Sequence, residues 1–294
     1  MPTPPLPADD HSHSEWSWDA SQGSMLGSCA RASELGLPAI AFTEHVDVTR
    51  WIAPEPLREQ IAARGVAVGD DGAVTPPSLA VDDYLAAVAD CRQRFPDLVI
   101  LTGVEVGEPH WFAEQTRTLL AGGRFERVLA SLHSVRRDGQ PWMVDHLVGP
   151  EAPDDVAPAD VLRRYLAEAA VMVTELPDEV QVLAHLDYPV RSWRGRFDPG
   201  PFEAEFREVL VPLAASGRAL EINTRVPLAA RVVEWWREVG GEAVSFGADA
   251  HVPGDVGHGF AAAAAMATAH GFRRDRHPHG FWYRSPRHTA RGSG

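Results

Sequence analysis

Two histidines two positions apart, His11 and His13, stand near the start of the chain, with Asp19 six positions beyond. In an extended segment alternate side chains share a face, so both rings can reach one metal ion. Further candidates each follow or end a short apolar run. His45 follows Ala39-Ile40-Ala41-Phe42, Glu105 follows Leu98-Val99-Ile100-Leu101, and His133 follows Val128-Leu129-Ala130-Ser131-Leu132. His185 and Asp187 follow Val180-Gln181-Val182-Leu183-Ala184, and Asp249-Ala250-His251 follow Ala243-Val244-Ser245-Phe246-Gly247. Leaving Asp187 aside, six imidazoles and three carboxylates remain, more than one tetrahedral ion needs. The set suits two or three divalent ions with mixed nitrogen and oxygen donors, such as Zn, Mn or Fe. Each member also has a plainer reading: a His-x-His pair arises often by chance, and His133 alone reads as a satisfied buried histidine. Their shared placement at strand ends is what joins them. His270, His277, His279 and His288 fall in the last helix and tail and read as surface residues, while His110 and His146 lie in loops and stay open.

Bringing these positions together requires a particular scaffold. The apolar runs have strand length and are bounded by polar or turn residues. Helical patterns lie between them, at roughly residues 22–36, 82–95, 109–122, 158–175, 201–216, 227–240 and 258–271. Asp82-Asp83 and Asp160 set carboxylates near helix starts, where the helix dipole favours them. With a poorly marked first strand before Asp10, about seven strand–helix repeats result. Such repeats imply a parallel sheet, and without a glycine-rich nucleotide turn they favour a closed barrel whose strands end at one mouth. We expect one α/β barrel domain over residues 1–284, with 65–81 as an inserted loop and 285–294 as a tail.

Composition narrows the chemistry. All 27 cationic side chains among the 294 residues are Arg; there is no Lys. Schiff-base aldolases, PLP enzymes, lysine-bearing P-loops and carbamate-bridged metal sites are thereby excluded. A net charge of −14 argues against nucleic acid or an anionic membrane as a general partner. Cys29 and Cys91 are too few for a disulfide framework, and MPTPPLPADD lacks the signal-peptide pattern. No run approaches ~18 apolar residues. A cytoplasmic protein is expected.

Taken in order, His11-Ser12-His13-Ser14, Thr43-Glu44-His45, Gly103-Val104-Glu105, Ser131-Leu132-His133, Ala184-His185-Leu186-Asp187 and Gly247-Ala248-Asp249-Ala250-His251 resemble the successive motifs of the PHP phosphoesterase family. The resemblance covers roughly residues 9–260, and order and spacing are most similar to the histidinol-phosphatase branch. It implies a distorted (β/α)7 barrel of the PHP type with a trinuclear centre. One ion would take His11, His13, Glu105 and Asp249; a second would share Glu105 and add His133 and His185; a third would take Asp19, His45 and His251. Asp19 stands where several relatives have a histidine, and the first strand, with only Leu6 and Ala8 among prolines, is weaker than the family pattern. Glu105, Asp249 and His251 are the implied catalytic residues.

The implied reaction is hydrolysis of L-histidinol phosphate, a step of histidine biosynthesis, by a hydroxide formed from water bridging two ions, whose pKa falls towards ~7. By formal charge three divalent ions less three carboxylates leave about +3 at the site, enough to draw in a phosphate dianion locally. With lysine absent, Arg191 and Arg225 are the candidate phosphate clamps. Glu15, Trp16, Trp18, Glu44 and Asp47 could wall a small cationic leaving group, although Glu44, Asp187 and Asn223 read better as residues that orient ligands. Competing readings are a PHP phosphoesterase for a nucleotide or other small ester, and a non-catalytic metal-binding barrel.

Overall fold

A computed structural model of the chain describes residues 6–63, 66–150 and 152–284. The expected tail, 285–294, and Gly65 at the start of the expected loop lie outside the described residues. Seven strands run side by side in chain order and parallel: β1 (Asp9–Ser12), β2 (Ala39–Asp47), β3 (Val99–Gly107), β4 (Arg127–Ser131), β5 (Val182–Leu183), β6 (Ala219–Asn223) and β7 (Ala243–Gly247). The sheet curls back on itself just past β7. There Asp249 N–H donates to His11 O and His13 N–H to Ala250 O, both at 2.8 Å. Lower down, β7 instead pairs with an antiparallel hairpin, β8 (Phe272–Arg274) and β9 (Trp282–Arg284). Closure at the mouth only is the distortion in this barrel.

A helix follows each strand: α1 (Met25–Leu35), α2 (Val81–Arg94), α3 (Ala113–Leu120), α4 (Pro158–Glu175), α5 (Glu203–Ala215), α6 (Ala230–Glu238) and α7 (Phe260–Ala269). Local chemistry sets their limits. The Ser24 side chain accepts from Gly27 N–H at the start of α1, and Gly36, at φ +67°, ends it. Along α4, Val161, Leu162, Tyr165, Leu166, Ala169, Met172 and Val173 are buried, a three-to-four spacing that lays one stripe on the sheet. Inside the barrel, Leu129, Val182, Ala184, Ala219 and Ala243 form a smaller cluster that Phe281 joins.

Two expectations need correction. The first strand begins at Asp9 rather than ending before Asp10, so His11 lies on it and Leu6 and Ala8 precede it. The insertion after β2 starts near residue 51, not 65: Trp51–Ile52 pairs antiparallel with Ala73–Val74, and a short helix, Arg58–Ala63, lies between. A second hairpin, Ser134–Arg137 with Gln140–Met143, follows β4 and leads into a short helix, Asp145–Val148. Trp51, Ala53, Val66 and Val74 form a separate apolar cluster with Trp18, Ile61 and Met143 packed on it.

Candidate metal centre

Glu105, fully buried on β3, is the hub of the mouth. Its Oε2 lies 3.1 Å from His11 Nε2, 3.4 Å from His13 Nε2 and 3.2 Å from His45 Nδ1. Its other oxygen, Oε1, lies 2.7 Å from His185 Nε2 and 3.3 Å from His133 Nε2. One carboxylate thus faces two groups of imidazoles with different oxygens. Asp249 Oδ1 sits 3.6 Å from His13 Nε2, and Asp19 Oδ2 sits 3.1 Å from His251 Nε2 and 3.5 Å from His45 Nε2. All nine residues singled out from the sequence therefore converge. His11, His13 and Glu105 offer donor atoms within 4.8 Å of one another, as do His13, His45 and His251; His45, Glu105 and His133; and His11, His185 and Asp249.

This donor set fits divalent metal ions. Imidazole Nε2 atoms of His11 and His13 face each other at 3.1 Å, a contact that needs a proton or a cation between the two lone pairs. Asp19 Oδ1, His45 Nδ1 and His185 Nδ1 are buried without a hydrogen-bond partner. Burial alone would raise the Glu105, Asp19 and Asp249 carboxyls, yet the surrounding histidines hold all three well below the usual carboxylate range. His13 is pushed down to about 3 by burial and by the neighbouring His45 and His251, leaving a neutral ring with a lone pair to give. Against the effect of burial, Asp19, Glu105 and Asp47 lift His45 to about 9. Such a cluster demands positive charge, which protons or metal ions can supply in competition.

A layer of acceptors fixes ring orientation. Glu221 Oε1 accepts from His11 Nδ1 at 2.7 Å, and Asp47 Oδ1 from His133 Nδ1 at 3.2 Å, turning each Nε2 inward. Ser17 Oγ donates to Glu44 Oε2 at 2.5 Å and sits 3.0 Å from His13 Nδ1. Glu108 accepts from the N–H groups of His133 and Ser134 at 2.6 and 2.7 Å. Gly107 and Gly247 are needed here, since a Cβ would collide with Asp47 at the first and with Glu221 at the second. Asp249 and Glu108 hold left-handed backbone, φ +51° and +44°, a strain of order 1 kcal/mol each that favours other residues and concentrates at working sites.

The chain covers 294 residues, and the PHP domain family profile matches residues 9–225 of it. The chain belongs to the PHP domain family. A histidinol-phosphatase of Lactococcus lactis is 26% identical over 262 residues, 83% of this chain and 84% of that protein. A probable histidinol-phosphatase of Thermotoga maritima is 33% identical over 120 residues, 38% of this chain and half (50%) of that protein's length. The crystal structure of a histidinol phosphate phosphatase from L. lactis, complexed with Zn, L-histidinol and phosphate, superposes with a TM-score of 0.73 at 21% identity, covering 91% of this chain and 95% of that one.

In this PHP barrel an open cleft lies over the cluster. Asp19, His45, Glu105, His133, His185, Asp249 and His251 line its floor, with His11 and His13 buried beneath. Arg191 lines the wall, its Nε 3.3 Å from Asp145 Oδ2 and its guanidinium 4.7 Å over the Tyr188 ring. Arg225 does not line the cleft; its Nη1 donates to Asp249 O at 2.8 Å and lies 2.8 Å from His251 Nδ1. Of the suggested aromatic and acidic wall, Trp18 and Asp47 face the cleft, whereas Glu15 accepts from Met25 N–H at the start of α1 and Trp16 packs on the core. Glu44 and Asn223 orient neighbours, Asn223 Nδ2 donating to Glu221 Oε2 at 3.2 Å. Asp187, pushed up to about 7 by burial, keeps one oxygen unpartnered. His110 is bound to Glu168 at 2.8 Å away from the cleft, while His146 is part of its wall.

Sequence reading missed Glu221, Glu108 and the 134–148 segment. A carboxylate in the middle of an apolar parallel strand, as in Ala219-Leu220-Glu221-Ile222-Asn223, was the available signal: buried there, it must have a partner. Among the described residues no helix is long and apolar enough to cross a membrane.

Proposed function

We propose that this protein is a metal-dependent phosphomonoesterase that hydrolyses L-histidinol phosphate to L-histidinol and phosphate. The observation that carries the reading is Glu105, whose two oxygens face separate groups of histidines at one barrel mouth. The histidinol phosphatases that the chain resembles over most of its length supply the substrate. Two or three ions, Zn, Mn or Fe, fit the donors. His11, His13, Glu105 and Asp249 would hold the first; Glu105, His133 and His185 the second; Asp19, His45 and His251 the third. Bound there, divalent ions supply the Lewis acidity and positive charge that attack of water on a phosphate ester requires.

The protein's own groups do the rest. Glu221 and Asp47 hold His11 and His133 in the tautomer that presents Nε2 inward. Arg191 has its Nε on Asp145 and keeps its outer N–H groups for phosphate oxygens, a clamp no lysine could replace. Arg225 instead fixes the backbone of Asp249 and the ring of His251. Phosphate release from L-histidinol phosphate, measured after chelation and after Zn or Mn add-back against nucleotides and sugar phosphates, tests the reading. Metal-dependent release with L-histidinol phosphate preferred is expected; a nucleotide preferred by about tenfold in kcat/KM would overturn the substrate, and release indifferent to metal would overturn the mechanism.

A further inference from the structure

The cleft has two poles, and only one is explained by phosphate and metal. Besides the cluster, the cleft is lined by Trp51, from the insertion, and His146, from the short helix after the second hairpin, with ring centroids 5.2 Å apart. Trp51 is 4% exposed, and its Nε1–H, a group that can only donate, has no partner. His146 Nδ1 is likewise buried and unpartnered. An unmade hydrogen bond at a buried polar atom is costly, and two such atoms belong to neighbouring residues that line one cavity, where a small side-chain shift would let a ligand satisfy them. Burial holds His146 below its ordinary value, so its ring is neutral and can give or accept one bond.

Both rings are tied to the reacting end. Trp51 packs in one cluster with Trp18, whose ring lies 6.2 Å from that of His45, and His146 adjoins Asp145, which holds Arg191. Ile61 and Met143 complete an apolar surround. An aromatic wall with an orphan donor and an orphan imidazole nitrogen suits a flat ring carrying its own nitrogen acceptor and donor. A sugar, rich in hydroxyls and without a flat face, would leave the apolar walls uncovered.

We propose that Trp51 and His146 are the specificity-determining pair of the cleft, selecting phosphomonoesters whose alcohol carries a planar nitrogen heterocycle. The inference rests on the phosphomonoesterase reading above and assigns within it the residues that read the leaving group. Phosphate at the metal pole and a ring at the aromatic pole would then be recognised by separate groups.

Steady-state kinetics of Trp51→Phe and His146→Phe with L-histidinol phosphate and with an aliphatic amino-alcohol phosphate lacking the ring provide the test. Both substitutions keep an aromatic ring and remove the polar atom, and thermal melting and metal content confirm that each variant is intact. The expected result is a KM for L-histidinol phosphate raised about tenfold with kcat nearly unchanged, and an unaltered KM for the aliphatic ester. Equal changes for both esters, or none for either, would overturn the inference while leaving the phosphatase intact. No metal-dependent release from either ester by the unsubstituted protein would remove the phosphatase reading and this inference with it.

Discussion

The two ends of this barrel handle buried charge in opposite ways. At the amino ends of the strands Arg127 and Asp10 form one buried pair, Nε to Oδ1 at 2.8 Å. Gln181 Oε1 accepts from Nη1 and His279 O from Nη2, each at 3.2 Å, and the Phe281 ring lies 4.2 Å from Arg127 Cζ. Each charge there has its counter-charge, and the apolar cluster of Leu129 and its neighbours lies alongside. At the carboxyl ends the reverse holds: imidazole nitrogens face one another, orphan atoms persist at Asp19, His45 and His185, and Asp249 is held in strained backbone. A satisfied network closes a barrel; an unsatisfied one waits for a ligand. Substitutions at the bottom should therefore cost stability, and those at the mouth metal and turnover.

The largest effect should come from the hub. Glu105→Gln removes the charge that both groups of histidines share, and kcat/KM should fall roughly a thousandfold or more. Bound metal measured by elemental analysis should fall with it, whereas the melting temperature of the metal-free protein should not drop. Retention of full metal and activity would show that Glu105 is not the shared ligand. At the opposite end, Arg127→Met leaves Asp10 buried without its partner, which typically costs roughly 3–5 kcal/mol. Denaturant unfolding should show that loss while kcat of the folded fraction and metal content stay near their original values. If Arg127→Met instead strips metal, the two ends are coupled and the contrast fails. Glu221→Gln sits between these extremes. Loss of the charged acceptor on His11 Nδ1 should weaken metal affinity by roughly 10- to 100-fold, as removal of such supporting carboxylates does elsewhere, and calorimetric metal titration would read it.

The same contrast explains what could be read in the sequence. Six of the nine convergent residues, His45, Glu105, His133, His185, Asp249 and His251, bear a distinctive donor at or just past the end of an apolar run, His11 and His13 are legible as a His-x-His pair, and the (β/α)7 barrel follows from the run–helix alternation, so mouth and scaffold are both legible. Glu221 was not, because its role depends on Gly247 leaving room on the adjacent strand, a relation between β6 and β7 that no local pattern carries. Arg127 and Asp10 are 117 positions apart and look like ordinary charges at strand margins until the barrel closes. The insertion begins earlier than its sequence suggests for a similar reason. Its outer strands, Trp51–Ile52 and Ala73–Val74, are each two residues long and pair across a turn-rich stretch. β1 lies later than expected because the start of the His-x-His segment forms part of it; with neighbours on both sides its backbone is satisfied without many apolar side chains.

The finest test of the mouth is Ser17→Ala. Ser17 Oγ donates its proton to Glu44 Oε2, so toward His45 N–H and the His13 ring, each 3.0 Å away, it can only accept. That forces the proton of His13 onto Nδ1 and leaves Nε2 bare toward Glu105 and Asp249. Without the hydroxyl, Glu44 keeps the Ser14 hydroxyl and N–H, so the layer beneath should stand, and only the ring's tautomer and aim are freed. One ordinary hydrogen bond, about 1 kcal/mol, should be lost, which corresponds to a metal affinity weaker by roughly fivefold. The melting temperature of the metal-free protein should move by only a few degrees. A drop in metal affinity as large as that of Glu221→Gln would mean that Ser17 supports more than one ligand. No drop at all would mean that packing among His13, His45 and His251, whose rings lie 4.1 and 4.4 Å from His13, already fixes its orientation.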